Sequence, residues 1–203
     1  MKSSSLLRAT AGFASLLLFT SVPLCGQTAE GATTSIVENG DLQSRSGTFF
    51  TGWDMGGFLG HSSSTGKEWN NKITAENEAD GSPFLRLSCL DPDGGDISAS
   101  TKEKVAINPA WVSFDVKFEG RFKDYVKGAS WGGRAQIELR FMDENDKPVE
   151  GEYFVKSPFD NTEWTAVEKS IQIPPGATGV KVFARLVGAN GVGDFRKIEV
   201  IPN

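Results

Sequence analysis

Polar side chains able to bind a ligand recur at every second position in several segments of the sequence. Arginine and glutamine carry forked hydrogen-bonding groups that suit hydroxyls and carboxylates. Because alternate residues of a strand point to one side, each such segment would present its polar residues on a single face. The candidate binding residues at these positions are Asp115, Arg134, Gln136, Arg140 and Arg185.

The sequence offers little catalytic machinery. Its single histidine, His61, lies in a polar segment without a nucleophile motif, and no cysteine–histidine cluster has zinc-ligand spacing. Phosphate-loop and dinucleotide motifs are absent as well. A glycoside hydrolase needs two carboxylates about 5–10 Å apart, which Glu138 and Asp115 would have to supply. A binding domain is therefore the first interpretation and an enzyme the alternative.

The tryptophans are the second group of candidate binding residues. The sequence has five tryptophans against two tyrosines, and indole rings offer large, flat surfaces with a polar edge. Trp131 lies among small residues, Trp69 lies in a polar segment, and Trp111 precedes a strand in phase with its polar face. We predict these three as platforms for ligand stacking, with ordinary packing as the alternative. Trp53 and Trp164 are interpreted as structural.

The fold follows from the hydrophobic residues that alternate with these polar ones. Turn-forming residues such as 143–148 (DENDKP) separate the segments, and no window has helical periodicity. Short strands together with 23 glycines predict an all-β antiparallel sandwich of the jelly-roll type. The apolar sets are Val112, Phe114, Val116 and Phe118; Ala135, Ile137, Leu139 and Phe141; and Val180, Val182, Ala184 and Leu186.

The N-terminal residues 1–26 have the layout of a secretory signal peptide. A short basic start precedes an uncharged stretch, 9–24, that is too short to span a membrane comfortably. The small residues of 27–35 would form a flexible tether, and 36–203 would form the folded domain. We therefore expect a secreted, periplasmic or cell-surface protein.

The two cysteines refine this expectation. Acylation of Cys25 would give a lipid anchor instead of free export, although Leu24 stands where a lipoprotein signal has a small residue. If Cys25 is removed or acylated, Cys89 has no intramolecular partner for a disulfide.

The charge pattern limits the partners. The net charge is −5 and no basic run is present, which argues against nucleic acid and anionic membrane surfaces. No second apolar segment has spanning length, so no transmembrane span is expected.

Several short motifs, in order, resemble the sandwich-type carbohydrate-binding modules related to families 4, 9, 16 and 22. Residues 38–42 (ENGDL) and the following 51–53 (TGW) are similar to the opening of these modules. Trp164, then 173–177 (IPPGA), and a final strand at 195–200 are similar to their closing half. The resemblance spans residues 36–201.

This resemblance implies a galactose-binding-like jelly roll that binds glycans without cleaving them. It also implies a structural calcium near the opening segment, to which Asn39 and Asp41 would contribute. Arg196 and Lys197 stand where relatives carry an acidic ligand, and a hard cation wants several oxygen ligands. The metal is therefore a weaker expectation than the fold, and no cofactor is predicted with it.

Three functions follow from these observations. The first is an exported, non-catalytic module that recognises a polysaccharide or oligosaccharide, with a partner enzyme or envelope protein alongside it. The second is a small jelly-roll glycoside hydrolase or lyase. The third is a structural or adhesion domain of the cell envelope without a small ligand.

Overall fold

The computed structural model describes residues 34–55, 71–90, 95–126, 134–157 and 162–203, which all belong to one unit, Gly31–Asn203. These ranges form strands, turns and connecting segments, and none of them contains a helix that could cross a membrane. The strands are β1 (Arg45–Ser46), β2 (Phe49–Phe50), β3 (Trp53–Asp54), β4 (Lys72–Asn77), β5 (Pro83–Cys89), β6 (Gly95–Thr101), β7 (Val105–Ala106), β8 (Ser113–Val126), β9 (Arg134–Met142), β10 (Phe154–Lys156), β11 (Thr165–Gln172) and β12 (Gly179–Pro202).

Two antiparallel sheets share the long strand β12. The front sheet has the order β10-β9-β12-β6-β3 and uses the first half of β12. The back sheet has the order β4-β5-β12-β8-β11 and uses the second half. Buried residues from both sheets form a single apolar cluster. The domain is therefore a β-sandwich of the jelly-roll type, and the predicted fold class is confirmed.

Alternation along the strands places one side of each in this core. Ile137 and Leu139 of β9 and Val182 of β12 are at most 2% exposed. Phe141 of the front sheet stacks against Phe114 of the back sheet, with ring centroids 6.1 Å apart. Burial of each such side chain stabilises the fold by about 1.5–3 kcal/mol.

Val112 corrects the predicted alternation. It lies before β8 and is 63% exposed, rather than facing the core. A turn in which the Trp111 N–H donates to the Asn108 carbonyl precedes it. The Val112 N–H then donates to the carbonyl of the last residue, Asn203, at 2.7 Å. The strand alternation therefore starts at Ser113.

Strand β12 leaves the front sheet and enters the back sheet at an irregular segment in its middle. This irregularity determines which residues of its first half lie on the outer face of the front sheet. The pairing of β12 with β6 becomes irregular between Leu186 and Ala189. Gly188 has φ 57°, a conformation that other residues rarely adopt, and its N–H donates to Asp96 Oδ1 at 2.9 Å. This corner ends the segment of β12 that lies beside β9.

Candidate functional site

The outer face of the front sheet carries a groove along β9, which we call the front groove. Its cavity measures about 370 Å³ and lies between the outward side chains of β9 and the segment 148–153. That segment is fixed to β9 by backbone hydrogen bonds, such as that from the Leu139 N–H to the Tyr153 carbonyl at 2.7 Å. The charged and amide residues lining the groove are Arg134, Gln136, Glu138, Arg140, Glu150, Glu152 and Arg185.

Glu138 lies in the middle of this face between two phenylalanines. Phe154 of β10 is its register partner on one side and Phe183 of β12 on the other. The Arg140 guanidinium lies 4.2 Å from the Phe183 ring centroid, and that of Arg134 lies 4.6 Å from the Phe154 centroid. These cation–π contacts hold two half-buried aromatic rings on an otherwise polar surface.

Ion pairs occupy both oxygens of Glu138. Arg140 Nη2 donates to Oε1 at 3.0 Å, and Arg185 Nη1 donates to Oε2. Arg185 also pairs with Asp96 at 3.3 Å. A carboxylate with a guanidinium on each oxygen is held in place on the surface by charge-assisted hydrogen bonds.

Two buried polar atoms on this face lack a hydrogen-bond partner. Gln136 is 1% exposed; its Nε2 donates to Glu138 at 3.3 Å, while its Oε1 has no partner. The Nε of Arg134, two residues away on the same face, is also buried without a partner. Buried polar groups are nearly always hydrogen-bonded, and an unmade bond costs about 1–3 kcal/mol. This part of the fold therefore contains one acceptor atom and one donor atom that are buried without a hydrogen-bond partner.

Four of the predicted binding residues, Arg134, Gln136, Arg140 and Arg185, lie together in the front groove. Asp115 does not join them, because β8 belongs to the back sheet. Alternation shows which side of a strand a residue occupies, but it does not show to which sheet the strand belongs.

The predicted tryptophan platforms have different positions. Trp111 packs against the core, with its ring edge-on to Phe114 at 5.8 Å between centroids. Trp131 and Trp69 lie outside the described residues, so their role stays a prediction. Trp53 is 1% exposed, in agreement with a structural role.

Sequence reasoning did not include the aromatic residues of the groove among the binding residues. Phe183 lies between Lys181 and Arg185 in the polar phase of β12, which was a usable signal. The sequence contains no comparable signal for Phe154. Strand β10 has only three residues, and the side of the strand on which a residue lies cannot be predicted from so short a segment.

The carboxylate pair considered for hydrolysis is separated by the whole sandwich. Glu138 lies on the outer face of the front sheet, whereas Asp115 belongs to the back sheet. Packed sheets are about 10 Å apart, and the core lies between these two faces. The pair therefore cannot flank one glycosidic bond.

The side chains proposed as calcium ligands make hydrogen bonds within the segment 39–51 that they belong to. Asn39 Oδ1 accepts the Ser44 N–H at 2.8 Å, and its Nδ2 donates to the carbonyls of Ser44 and Thr51. Asp41 Oδ1 accepts the Gln43 N–H at 3.3 Å. Within the described ranges, no three His, Cys, Asp or Glu residues lie close enough to hold a metal. Calcium also accepts backbone carbonyl oxygens, so a calcium site at Asn39 and Asp41 stays a prediction.

The outer face of the back sheet also carries arginines and an aromatic ring, which contact one another and a carboxylate. Arg121 and Arg196 lie 4.3 Å and 4.2 Å from the Trp164 ring centroid, and Trp164 Nε1 donates to Glu78 at 3.1 Å. These contacts hold a partly buried indole on this face, in agreement with a structural role for Trp164.

An ion-pair cluster on this back face predicts acid sensitivity. Burial disfavours the charged form of Glu119, but hydrogen bonds from Lys197 and Arg196, both 2.6 Å, outweigh it and hold its pKa below the ordinary value. Such a group stabilises the fold above its ordinary pKa, and this stabilisation is lost as the pH falls.

We expect Glu119→Gln to lower the free energy of unfolding by about 0.5–1 kcal/mol at pH 7. The difference from wild type should shrink as the pH falls below about 4.5. Urea unfolding between pH 7 and pH 3 measures it, with Glu144→Gln in an exposed turn as the control. A difference that stays constant with pH would contradict the assignment.

Comparisons with solved structures assign the fold. A family 4 carbohydrate-binding module (CBM4) matches with a TM-score of 0.52 and 11% identity, covering 82% of this chain and 99% of that chain. The enzymatically active domain of tailspike protein 4 from bacteriophage CBA120 matches with a TM-score of 0.59 and 15% identity, covering 83% of this chain. This chain spans only 21% of that tailspike chain.

Most of the other similar structures are also carbohydrate-binding modules. One is the xylan-binding CBM22 domain from Paenibacillus barcinonensis, with a TM-score of 0.45 and 10% identity over 77% of this chain and 88% of that chain. No protein-family model and no curated protein sequence matches the chain. The match to the CBM4 module, at a TM-score of 0.52, shows that the chain has the sandwich fold of that module.

Proposed function

We propose that this protein is an exported, non-catalytic carbohydrate-binding module that binds a polysaccharide in the front groove. The observation that carries the proposal is the pair of unpartnered polar atoms, Gln136 Oε1 and Arg134 Nε. A sugar hydroxyl both donates and accepts hydrogen bonds, so neighbouring hydroxyls of one ring could satisfy both atoms after small side-chain shifts.

The rest of the groove supplies what a sugar ring needs. Phe154 and Phe183 offer apolar surface for the C–H faces of the ring, and Arg140 and Arg185 offer further donors. Binding sites for small ligands typically combine such apolar surfaces with a few placed polar groups. The sugar would lie along β9, with the segment 148–153 as one wall.

The same geometry supports a binding role over a catalytic one. The ion pairs with Arg140 and Arg185 hold Glu138 as an anchored carboxylate, and Asp115, its predicted catalytic partner, belongs to the back sheet. The fold match to a CBM4 module covers nearly all of that module, which agrees with a domain that binds without cleaving. The tailspike match covers a small part of a larger enzyme, so it brings no activity to this chain.

Export completes the proposal. Residues 1–26 would direct secretion as a signal peptide, and the domain from 36 to 203 would act outside the cytoplasm. N-terminal sequencing of the protein recovered from the medium or cell envelope tests this part, with a first residue near 27 as the expected result. A lipid on Cys25 would identify the anchored alternative.

Replacing Gln136 with alanine tests the groove. Isothermal titration against soluble xylan, galactan, mixed-linkage glucan, polygalacturonate and carboxymethyl cellulose should find at least one ligand for the wild type. We expect Gln136→Ala to weaken that binding about tenfold or more, because a buried hydrogen bond would be lost. Asp115→Ala, on the back sheet, should leave the affinity unchanged.

Two outcomes would count against the proposal. Binding to none of these polysaccharides, with every groove variant behaving like wild type, would favour a structural or adhesion domain. Release of reducing sugar that Glu138→Gln abolishes would favour a hydrolase or lyase.

A further inference from the structure

The outward residues of the front sheet carry more positive than negative charge, although the chain as a whole carries −5. Phe154 and Lys156 define the outward side of β10, and Glu138 and Gln136 are their partners on β9. The carboxylates on the outward positions of β9 and β6 are Glu138 and Asp96. The cations on the outward positions of β10, β9 and β12 are Lys156, Arg134, Arg140, Lys181 and Arg185.

Four of these cations fall into two groups, and the fifth, Lys181, lies 5.9 Å from the Phe183 ring centroid without a described ion pair. Arg140 and Arg185 are neutralised by Glu138 and Asp96. Arg134 and Lys156 form no ion pair with any described carboxylate and instead lie over the same ring, Phe154, at 4.6 Å and 5.4 Å from its centroid. A cation–π contact positions a cation without cancelling its charge.

Two of the three outward cations without a described ion pair lie at one end of the groove, and the third, Lys181, is the register partner of Arg140. Lys156 is the register partner of Gln136, and Arg134 is two residues from Gln136 on the same strand. The carboxylates of the groove wall, Glu150 and Glu152, belong to the segment 148–153, which pairs with the other end of β9. Glu152 also lines a second cavity together with Phe154 and Lys156, but it forms no described ion pair with Lys156. Two like charges beside one ring repel each other, and this repulsion falls when an anion binds between them.

We propose that the front groove selects acidic polysaccharides and that Arg134 and Lys156 bind the anionic group of one sugar residue. The group is a uronate carboxylate or a sulfate ester, since both present oxygen atoms to a guanidinium and an ammonium. A neutral sugar would use the hydroxyl contacts at Gln136 but would leave both cations uncompensated. This inference rests on the proposed function and names the class of ligand for the same groove.

Matched polysaccharide pairs test the inference. Isothermal titration compares polygalacturonate with its methyl ester, and carboxymethyl cellulose with hydroxyethyl cellulose; cellulose sulfate distinguishes sulfate from carboxylate. We expect the acidic member of at least one pair to bind about tenfold or more tightly. This preference should decrease between 20 mM and 300 mM NaCl, because salt screens exposed charges.

Lys156→Gln is the decisive variant, since this side chain is exposed and its loss should not affect folding. It should weaken binding of the acidic polymer about tenfold and change neutral binding less than about twofold. Lys123→Gln removes a cation from the back sheet and is the matched control. Arg134→Gln should act in the same direction as Lys156→Gln, with circular dichroism and thermal unfolding to check its fold.

Each outcome decides between the proposals. Equal binding of acidic and neutral members, or a Lys156→Gln effect no larger than that of Lys123→Gln, would overturn the acidic preference and leave the carbohydrate-binding function intact. Binding to no polysaccharide of either kind would overturn both.

Discussion

Asp194→Ala is expected to lower the free energy of unfolding by about 3–5 kcal/mol. The Asp194 carboxylate is fully buried on the outer side of the back sheet. Arg86 donates to its two oxygens at 2.8 Å and 2.9 Å, and Arg121 Nε donates at 2.7 Å. Removing the carboxylate leaves Arg86 without a described ion-pair partner and Arg121 with Glu78 alone, in a largely buried site where unpaired charge is strongly unfavourable.

Urea unfolding at pH 7 measures this effect. Asp115→Ala removes a carboxylate from the same sheet, where it has no described ion pair, and should change stability by less than about 0.5 kcal/mol. Asp194→Asn keeps the shape but loses the charge and should fall between the two. If Asp194→Ala were as mild as Asp115→Ala, the cluster would be a surface feature without structural weight.

Arginines and aromatic rings occur on both outer faces of the sandwich, but the arginines have different partners on the two faces. On the back face, Arg86 and Arg121 share the buried Asp194 and enclose Phe84, which is 3% exposed. On the front face, Arg134 covers a ring without a carboxylate partner. The front face thus differs in carrying a cation over a ring, Arg134, that no described carboxylate neutralises, although Arg140 and Arg185 there are ion-paired.

Local sequence patterns were sufficient to predict the fold class. The two-residue periodicity of β9 and of the first half of β12 correctly assigned which side of each strand is buried. The same rule failed at Val112, because the strand there begins one residue later than the apolar pattern suggests. A pairing with the last residue of the chain decides that boundary, and a local pattern does not contain it.

The candidate site was predictable only in part, for the same reason. Alternation found Arg134, Gln136, Arg140 and Arg185, since each lies in the polar phase of a long strand. It could not separate Asp115 from them, because sheet membership depends on long-range pairing. The ion pair of Arg86 with Asp194 likewise could not be predicted from local patterns, because the two residues are 108 positions apart.

The opening motif at 38–42 forms a turn that packs closely against β12. Gly40 lies against the backbone of β12, and its carbonyl accepts the Ile198 N–H at 2.8 Å. A Cβ atom at Gly40 would lie 1.9 Å from the Ile198 carbonyl oxygen. Asn39, at φ 53°, holds the turn through its side-chain amide. Close packing of two backbones thus accounts for the glycine in this motif.

Gly40→Ala is therefore expected to destabilise the fold by about 3 kcal/mol or more, because a backbone atom must move to relieve the overlap. Gly47→Ala is the matched control: Gly47 has φ 65° but nothing within 4 Å of an added Cβ, so only conformational strain of about 1 kcal/mol applies. Thermal and urea unfolding of both variants give the comparison. Equal losses would contradict a role for the contact with β12, since Gly40 does not have the positive φ that favours glycine. A much larger loss at Gly40 would tie the opening motif to the strand that joins the two sheets and positions Arg185 and Phe183 in the front groove.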